Sequence, residues 1–340
     1  MKKIYRFIKK IINNLISILT NSFYYIYEMI QSLFDKSIRV CFTNFWPDLK
    51  LKDINYFLNV FINNHTHFRI IKHYKPHVQF FSIFGDIKEL KRSKTQIKIF
   101  YTGENINQPS LLQYQGNCLD SVDLSLGFDY MDTVNYLRHP LWLLYFFTPN
   151  NSKDEIKDIL DNFNKKYEKS KFCSLISRHD NYGLRTKMYN DISNIGTIDC
   201  PGKLLHNDDT LQNIFNNNKL LYLQQYKFNI CPENTKSEGY VTEKIFECLY
   251  SGCIPIYSGW SKNPEPDIIN PNIILIYDEF DSQNNKSVFN EIKKLHENDR
   301  LYRSFTDQPF FCDTAVDKIH DFLSNFNEKM ENIFCKLVKK

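Results

Sequence analysis

Residues 224–260 read "QQYKFNICPENTKSEGYVTEKIFECLYSGCIPIYSGW". A short apolar run, Phe228 to Cys231, is followed after Pro232 by a carboxylate and an amide, Glu233 and Asn234. A polar loop carrying Gly239 follows, and Tyr240-Val241-Thr242-Glu243-Lys244 opens a helical pattern that includes Phe246 and Leu249. Gly252 closes the helix, and Cys253 to Tyr257 resumes an apolar run. Strand, loop, helix, strand is the repeating unit of a parallel sheet, since parallel neighbours are joined only by a crossover.

The alternation continues on both sides of this unit. Downstream, strand Ile273 to Tyr277 precedes helix Val288 to Asn298. Upstream come strand Phe172 to Ile176, helix Arg185 to Ile192, and Ile198-Asp199 leading into Pro201-Gly202. A separate series lies nearer the N-terminus: strand Ile38 to Phe42, helix Asp53 to Asn63, and strands Val78 to Phe84 and Ile97 to Tyr101. Pro140 should kink or break the aromatic-rich segment Val134 to Phe147. Residues 152–171, "SKDEIKDILDNFNKKYEKSK", are polar, helical in pattern and close to charge balance, as suits a connector. The expected fold class is α/β, with two doubly wound domains facing a cleft, residues 37–150 and 172–340, joined by residues 151–171.

Composition is that of a folded protein, with 42% hydrophobic and 24% charged residues and a net charge of +4. A length of 340 residues accommodates two cores. No dense basic stripe follows the first ten residues, which argues against nucleic acid as a partner. The nine cysteines include no Cys-x-x-Cys pair and no zinc spacing, and several lie in apolar runs as small hydrophobes. A disulfide scaffold is not expected.

The N-terminal 36 residues stand apart. Lys2, Lys3, Arg6, Lys9 and Lys10 precede a stretch long enough to span a membrane, but Asn13, Asn14, Asn21 and Glu28 interrupt it. Ile4, Ile8, Ile11, Leu15, Ile18 and Leu19 fall near helical spacing, which favours a basic amphipathic helix lying on an anionic membrane. A signal anchor and a helix packed on the protein remain alternatives. Membrane association is the expectation, with the secretory (Golgi) lumen and the cytoplasmic face both open. No small-residue cleavage site is evident.

In open α/β sheets, ligands bind beyond the carboxyl ends of strands, near helix N-termini. Thr242 is the expected N-cap of the helix carrying Glu243 and Lys244, whose free N–H groups and dipole favour an anion. Lys244 opposes the local preference for acids, a mismatch explained if it faces a phosphate; the alternative is a solvated lysine. Arg185 opens another helix and would supply a second cation. Glu104 follows strand Ile97 to Tyr101 and Gly103, which aims its carboxylate into the cleft as a general base or, alternatively, as a turn-stabilising acid. Gly-x-Gly-x-x-Gly, the P-loop and Asp-x-Asp are all absent. Dinucleotide, ATP-hydrolase and metal-held diphosphate readings fall with them.

Residues 225–259 strongly resemble the donor-site motif of the α-1,3/4-fucosyltransferase family, particularly its bacterial members. "IKIFYTGENINQP" (97–109), "LSLGFDYMD" (124–132), "YLRHPLWLLY" (136–145) and "KFCSLISRHDNYGLRTKMYNDISNIGTIDCPG" (171–202) resemble that family's segments in the same order. The similarity runs from about Ile38 to Phe322. It implies the GT-B fold of two Rossmann-like domains, with acceptor recognition in the first and GDP-fucose in the second. By the same resemblance Tyr240, Glu243 and Lys244 contact the nucleotide sugar. Lys244 and Arg185 neutralise the diphosphate in place of a metal, Asn234 and Glu243 hold ribose or fucose hydroxyls, and Glu104 is the general base of an inverting transfer. No metal ligands or cofactors are implied; a divalent metal would be at most stimulatory. The partners implied are GDP-fucose and an oligosaccharide or glycoconjugate acceptor, most simply a GlcNAc-containing glycan in α-1,3 linkage, with protein glycosylation as the setting.

Three departures qualify the resemblance. Pro232 replaces the usual Phe before Glu-Asn, Arg178-His179 stands where Ser-Asn is usual, and Ala315 replaces the second cysteine of a terminal Cys-x-x-Cys. A GT-B enzyme using another GDP-sugar and a catalytically silent glycan- or nucleotide-binding protein are the competing readings. The joint presence of Glu104, Arg185 and Lys244 disfavours the silent protein. A membrane-tethered scaffold explains only the first 35 residues.

Overall fold

Short apolar runs rich in β-branched and aromatic residues form eleven strands in the computed structural model, which describes residues 2–338. The first sheet contains β1 (Ile38–Thr43), β2 (Phe68–Ile70), β3 (Val78–Phe81), β4 (Ile97–Tyr101), β5 (Leu124–Gly127) and β6 (Tyr136–Arg138), in the order β2-β1-β3-β4-β5-β6. The second contains β7 (Lys171–Ser174), β8 (Ile198–Asp199), β9 (Tyr226–Ile230), β10 (Ile254–Tyr257) and β11 (Leu275–Ile276), in the order β11-β10-β9-β7-β8. Every pairing is parallel, as the strand–helix alternation requires. This is an α/β fold of two doubly wound sheets.

The ends of the elements differ from the sequence expectations. The helix expected over 53–63 is two short helices, Leu51–Phe57 and Asn59–Asn63, divided at Leu58. Strands expected over 78–84 and 273–277 pair only over Val78–Phe81 and Leu275–Ile276. The helix expected to start at Val288 begins at Ser282, where Asp281 accepts a hydrogen bond from the Asn284 backbone amide (2.9 Å). Pro140 does break its segment, separating β6 from the helix Trp142–Phe146.

One apolar core runs through both halves of the molecule. Trp142 from the first half stacks on Phe246 from the second, with ring centroids 4.4 Å apart. The connector helix Lys153–Phe163 starts with a reciprocal capping box between Ser152 and Glu155 and buries Ile156, Leu160 and Phe163 beneath it. Although last in the chain, the helix Ala315–Val338 packs back on the first half: Phe326 stacks on His139 (4.7 Å) and Phe334 meets Phe61 edge-on (5.5 Å).

The N-terminal helix Lys2–Phe34 is fixed to this body near its C-terminal end. The Glu28 carboxylate accepts backbone hydrogen bonds from Lys72, His73 and Tyr74 at 2.8–3.0 Å. Further out, Leu15, Ile18, Leu19 and Phe23 are all more than half exposed. No helix among the described residues is long and apolar enough to cross a membrane.

Candidate active site

The site forms where β4 of the first sheet and β9 of the second end opposite each other. At the exit of β4, the Thr102 hydroxyl accepts from the Glu104 amide (3.1 Å) and donates to the Glu104 carbonyl (2.8 Å), bracing the turn. The Glu104 carboxylate then meets the other half of the molecule. It accepts from the Tyr240 hydroxyl at 3.0 Å and from the Asn234 side-chain amide at 3.4 Å. Asn105 and Asn107 donate across the same gap to Thr235 (2.8 Å) and Ser237 (3.2 Å). Gly239 permits this approach: its φ is +74°, and a Cβ there would lie 2.5 Å from the Phe128 carbonyl oxygen.

Beyond β9, Glu233 is a buried hub. Its carboxylate accepts from the Thr242 amide (2.8 Å), the Thr242 hydroxyl (2.7 Å), Lys244 Nζ (3.3 Å) and the Tyr257 hydroxyl (3.4 Å). This corrects one expectation. Thr242 occupies the N-cap position of the helix Glu243–Tyr250, but its hydroxyl makes no capping bond. Instead it donates to Glu233 and accepts from Lys244 at 2.8 Å. Burial alone would weaken the Lys244 cation, but the carboxylates of Glu243, Glu233 and Glu104 outweigh it and hold its pKa above the usual lysine value. Burial has the opposite consequence for Glu233, raising its pKa against the pull of Lys244 and Thr242.

Arg185 sits in the first turn of the helix Leu184–Ile192 and is only 7% exposed. Asp180 fixes that turn by accepting from the backbone amides of Arg185 (3.2 Å) and Thr186 (2.7 Å). The guanidinium donates to the Asn234 side-chain oxygen (2.8 Å) and the His179 carbonyl (3.2 Å). Burial lowers its pKa, but an arginine so perturbed remains a cation at neutral pH.

Arg185, Asn234, Glu243 and Lys244 line one cavity of about 1020 Å³. Arg178, Lys203 and Lys219 bring its cations to five, against two carboxylates, Glu243 and Glu247. The excess of positive charge at two helix N-termini suits a multiply charged anion. One Glu243 oxygen is buried without a hydrogen-bond partner, as a carboxylate awaiting a hydroxyl would be. Glu247 is pushed up to about 6 by burial, with Lys219 at 3.5 Å pulling the other way and Glu243 adding repulsion. Glu104 and Tyr240 stand outside this cavity, joined to it through Asn234. All six residues singled out from the sequence therefore belong to one connected constellation. Among the described residues, no three His, Cys, Asp or Glu side chains gather as metal ligands.

Two parts of the site escaped the sequence reading. Glu233 follows a strand just as Glu104 does, but only its burial reveals its structural task. Arg138 and Glu265 form a buried ion pair at 2.8 Å across the two halves, and Trp142 Nε1 donates to the same carboxylate (2.9 Å). Partners 127 positions apart leave no local signal.

Known proteins carry the same pattern. The family model described as "Alpha-(1,3)-fucosyltransferase FucT N-terminal domain" matches residues 40–145, and that described as "Glycosyltransferase family 10 (fucosyltransferase) C-term" matches residues 164–340. Alpha-(1,3)-fucosyltransferase FucT of Helicobacter pylori is 26% identical over 311 residues, covering 81% of this chain and 60% of its own. GDP-fucose protein O-fucosyltransferase 3 of Xenopus tropicalis is 34% identical over 114 residues, covering 32% of this chain and 24% of its own. This chain thus spans 60% or less of the length of these relatives. A crystal structure of an alpha1,3-fucosyltransferase with GDP-fucose superposes with a TM-score of 0.53 at 24% identity, over 86% of this chain and 90% of the other. That likeness makes the two-sheet architecture a GT-B fold. With both halves matched in sequence and the two sheets facing one cleft, the chain belongs to glycosyltransferase family 10, the fucosyltransferases.

Proposed function

We propose that the protein transfers fucose from GDP-fucose to a hydroxyl group of a GlcNAc-containing glycan, with inversion and most simply in α-1,3 linkage. One observation carries this reading: a carboxylate of the first half, Glu104, is held at the edge of a cation-lined cavity of the second. The acceptor hydroxyl gives its proton to Glu104 while its oxygen attacks the anomeric carbon of fucose from the face opposite the diphosphate. The bond from that carbon to the β-phosphate oxygen breaks, and GDP leaves with the electron pair. Lys244 and Arg185 balance the charge on the departing diphosphate, in the role a divalent metal has elsewhere. Glu243, with its free buried oxygen, accepts from a donor hydroxyl, and Asn234 keeps Arg185 and Glu104 in register. Tyr240 donates to Glu104 until the acceptor hydroxyl takes its place.

The experiment is transfer from radiolabelled GDP-fucose to N-acetyllactosamine, N-glycan and GlcNAc acceptors, with a serine- and threonine-containing peptide beside them. The peptide is included because a relative is a protein O-fucosyltransferase by name. Product in any glycan arm, persisting in excess EDTA, supports the reading. Dependence on another GDP-sugar, or loss in EDTA restored only by Mn²⁺, contradicts it.

The N-terminal helix extends the proposal to location. Its first ten residues carry five cations, and no acid appears before Glu28, while Leu15, Ile18, Leu19 and Phe23 stay exposed. That combination suits binding in the plane of an anionic membrane, with Glu28 anchoring the helix to the enzyme. Binding of the full chain to phosphatidylserine vesicles should weaken with salt and vanish on deletion of residues 1–35.

A further inference from the structure

We infer that the cleft lined by Tyr240, Tyr130 and Trp260 is a subsite for an uncharged acceptor sugar, with Trp260 and Tyr130 as its stacking faces; this rests on the transferase reading above. A second cavity, about 270 Å³, opens there between the two halves. Tyr240 links this cavity to the proposed base: its hydroxyl bonds Glu104 at 3.0 Å, and it also lines the cavity. A sugar seated there shares Tyr240 with the proposed base.

The lining chemistry distinguishes this cavity from the first. Its lining contains no lysine and no arginine; of its two carboxylates Glu265 is neutralised by Arg138, which leaves the exposed Glu238 as the uncompensated charge. Phosphate, sulfate and carboxylate ligands are therefore disfavoured, whereas neutral hydroxyls find acceptors in the exposed Glu238 and partners in Asn263. Trp260 is 61% exposed and Tyr130 57% exposed, two large rings left open in a single cleft. A pyranose presents an apolar face of C–H groups and a rim of hydroxyls, which matches aromatic walls edged by an acid and an amide.

The platform is also rigid. Arg138 lies over the Tyr130 ring, its guanidinium carbon 4.6 Å from the centroid. Arg138 is itself held by both Glu265 oxygens (2.8 and 3.2 Å) and donates to the carbonyls of Phe128 (3.0 Å) and Gly239 (3.2 Å). One face of Tyr130 is thus backed by a fixed cation. A ring already ordered loses little freedom when a ligand stacks on it.

The test uses the full chain with N-acetyllactosamine as probe and the variants Trp260→Ala and Trp260→Phe. Saturation-transfer NMR without donor should show ring protons of the probe in contact with wild type and with Trp260→Phe, and lose the signal with Trp260→Ala. In turnover, Trp260→Ala should raise the acceptor KM by about tenfold with kcat little changed, the mark of lost ground-state binding. GDP affinity by calorimetry should stay at the wild-type value, which also certifies the fold. An unchanged KM and unchanged saturation transfer in Trp260→Ala overturns the subsite while leaving the transferase reading intact. Absence of any saturation transfer to wild type overturns it as well. Sugar contact that depends on Trp260 in a protein that transfers no fucose supports the subsite and removes the transferase reading alone.

Discussion

The dipeptide Glu-Asn occurs at the exit of a central strand in each half of the molecule, as Glu104-Asn105 after β4 and Glu233-Asn234 after β9. The two pairs interlock across the cleft, Asn105 bonding Thr235 and Asn234 bonding Glu104. Their roles are exchanged. In the first pair the acid is half-buried with partners drawn from the opposite half, and the amide is buried as the fastener. In the second the acid is 2% exposed and saturated by its own half, and the amide bridges Arg185 and Glu104. Residue type at a strand end nominates a group for the cleft; its burial and donors decide whether it reacts or supports.

Replacing each acid by its amide should break the two pairs in different ways. Glu104→Gln keeps shape and hydrogen bonding but removes the base, so kcat should fall about 10²–10⁴-fold. Its unfolding midpoint in urea should match wild type. Equal turnover by Glu104→Gln would place the base elsewhere.

Glu233→Gln is the reciprocal case, a stability loss with the chemistry removed only indirectly. It takes away the buried negative charge that Lys244 faces and one acceptor from Thr242 or Tyr257. Truncating one partner of a buried ion pair costs about 3–5 kcal/mol, and the amide, retaining some hydrogen bonds, should come near the lower end. Urea denaturation of Glu233→Gln beside Glu104→Gln checks this, and equal midpoints would erase the distinction between the pairs.

Much of this was legible because parallel sheets leave strong local traces. The strand–helix alternation, Glu104 after β4 and the Tyr240–Lys244 turn are all set by a few consecutive residues. What escaped depends on distant neighbours. Nothing near Glu233 in the chain announces Tyr257, and Thr242 looks like an N-cap until a buried carboxylate captures its hydroxyl. β2 and β6 are three residues each, too short for a period to show. The segment after Glu104 escaped for another reason: Asn117 and Cys118 adopt left-handed backbone, which neither residue's neighbours foretell.

The two cations sharpen the comparison with a smaller effect. Arg185→Ala and Lys244→Ala should each weaken GDP binding by about ten- to a hundredfold, as loss of a charge-assisted bond of about 1.5–3 kcal/mol implies. Only Lys244→Ala should also lower stability, because it strands Glu233 without its cation, whereas Arg185 is bonded to an amide and a carbonyl. Calorimetry with GDP and urea denaturation together separate the two. Unchanged GDP affinity in both folded variants would contradict the donor assignment.

The smallest effect concerns Glu247, a carboxylate between the two extremes: only partly buried, with Lys219 as its ion-pair partner at 3.5 Å. Burial raises its pKa from 4.5 to about 6, so the folded state holds its proton more tightly than the unfolded chain. Its stabilising contribution is therefore fully present below about pH 4.5 and is lost as pH rises through about 6. The shift corresponds to at most about 2 kcal/mol, since one pKa unit is about 1.4 kcal/mol. Glu247→Gln stays neutral at every pH and should lack this component. Urea denaturation of wild type and Glu247→Gln at pH 5 and 7.5, where all other titrations are shared, isolates it. Wild type should gain stability relative to the variant by about 1–2 kcal/mol on going to the lower pH. A constant difference between the two proteins would mean that Glu247 ionises as an ordinary surface carboxylate, and that its contact with Lys219 offsets the burial in full.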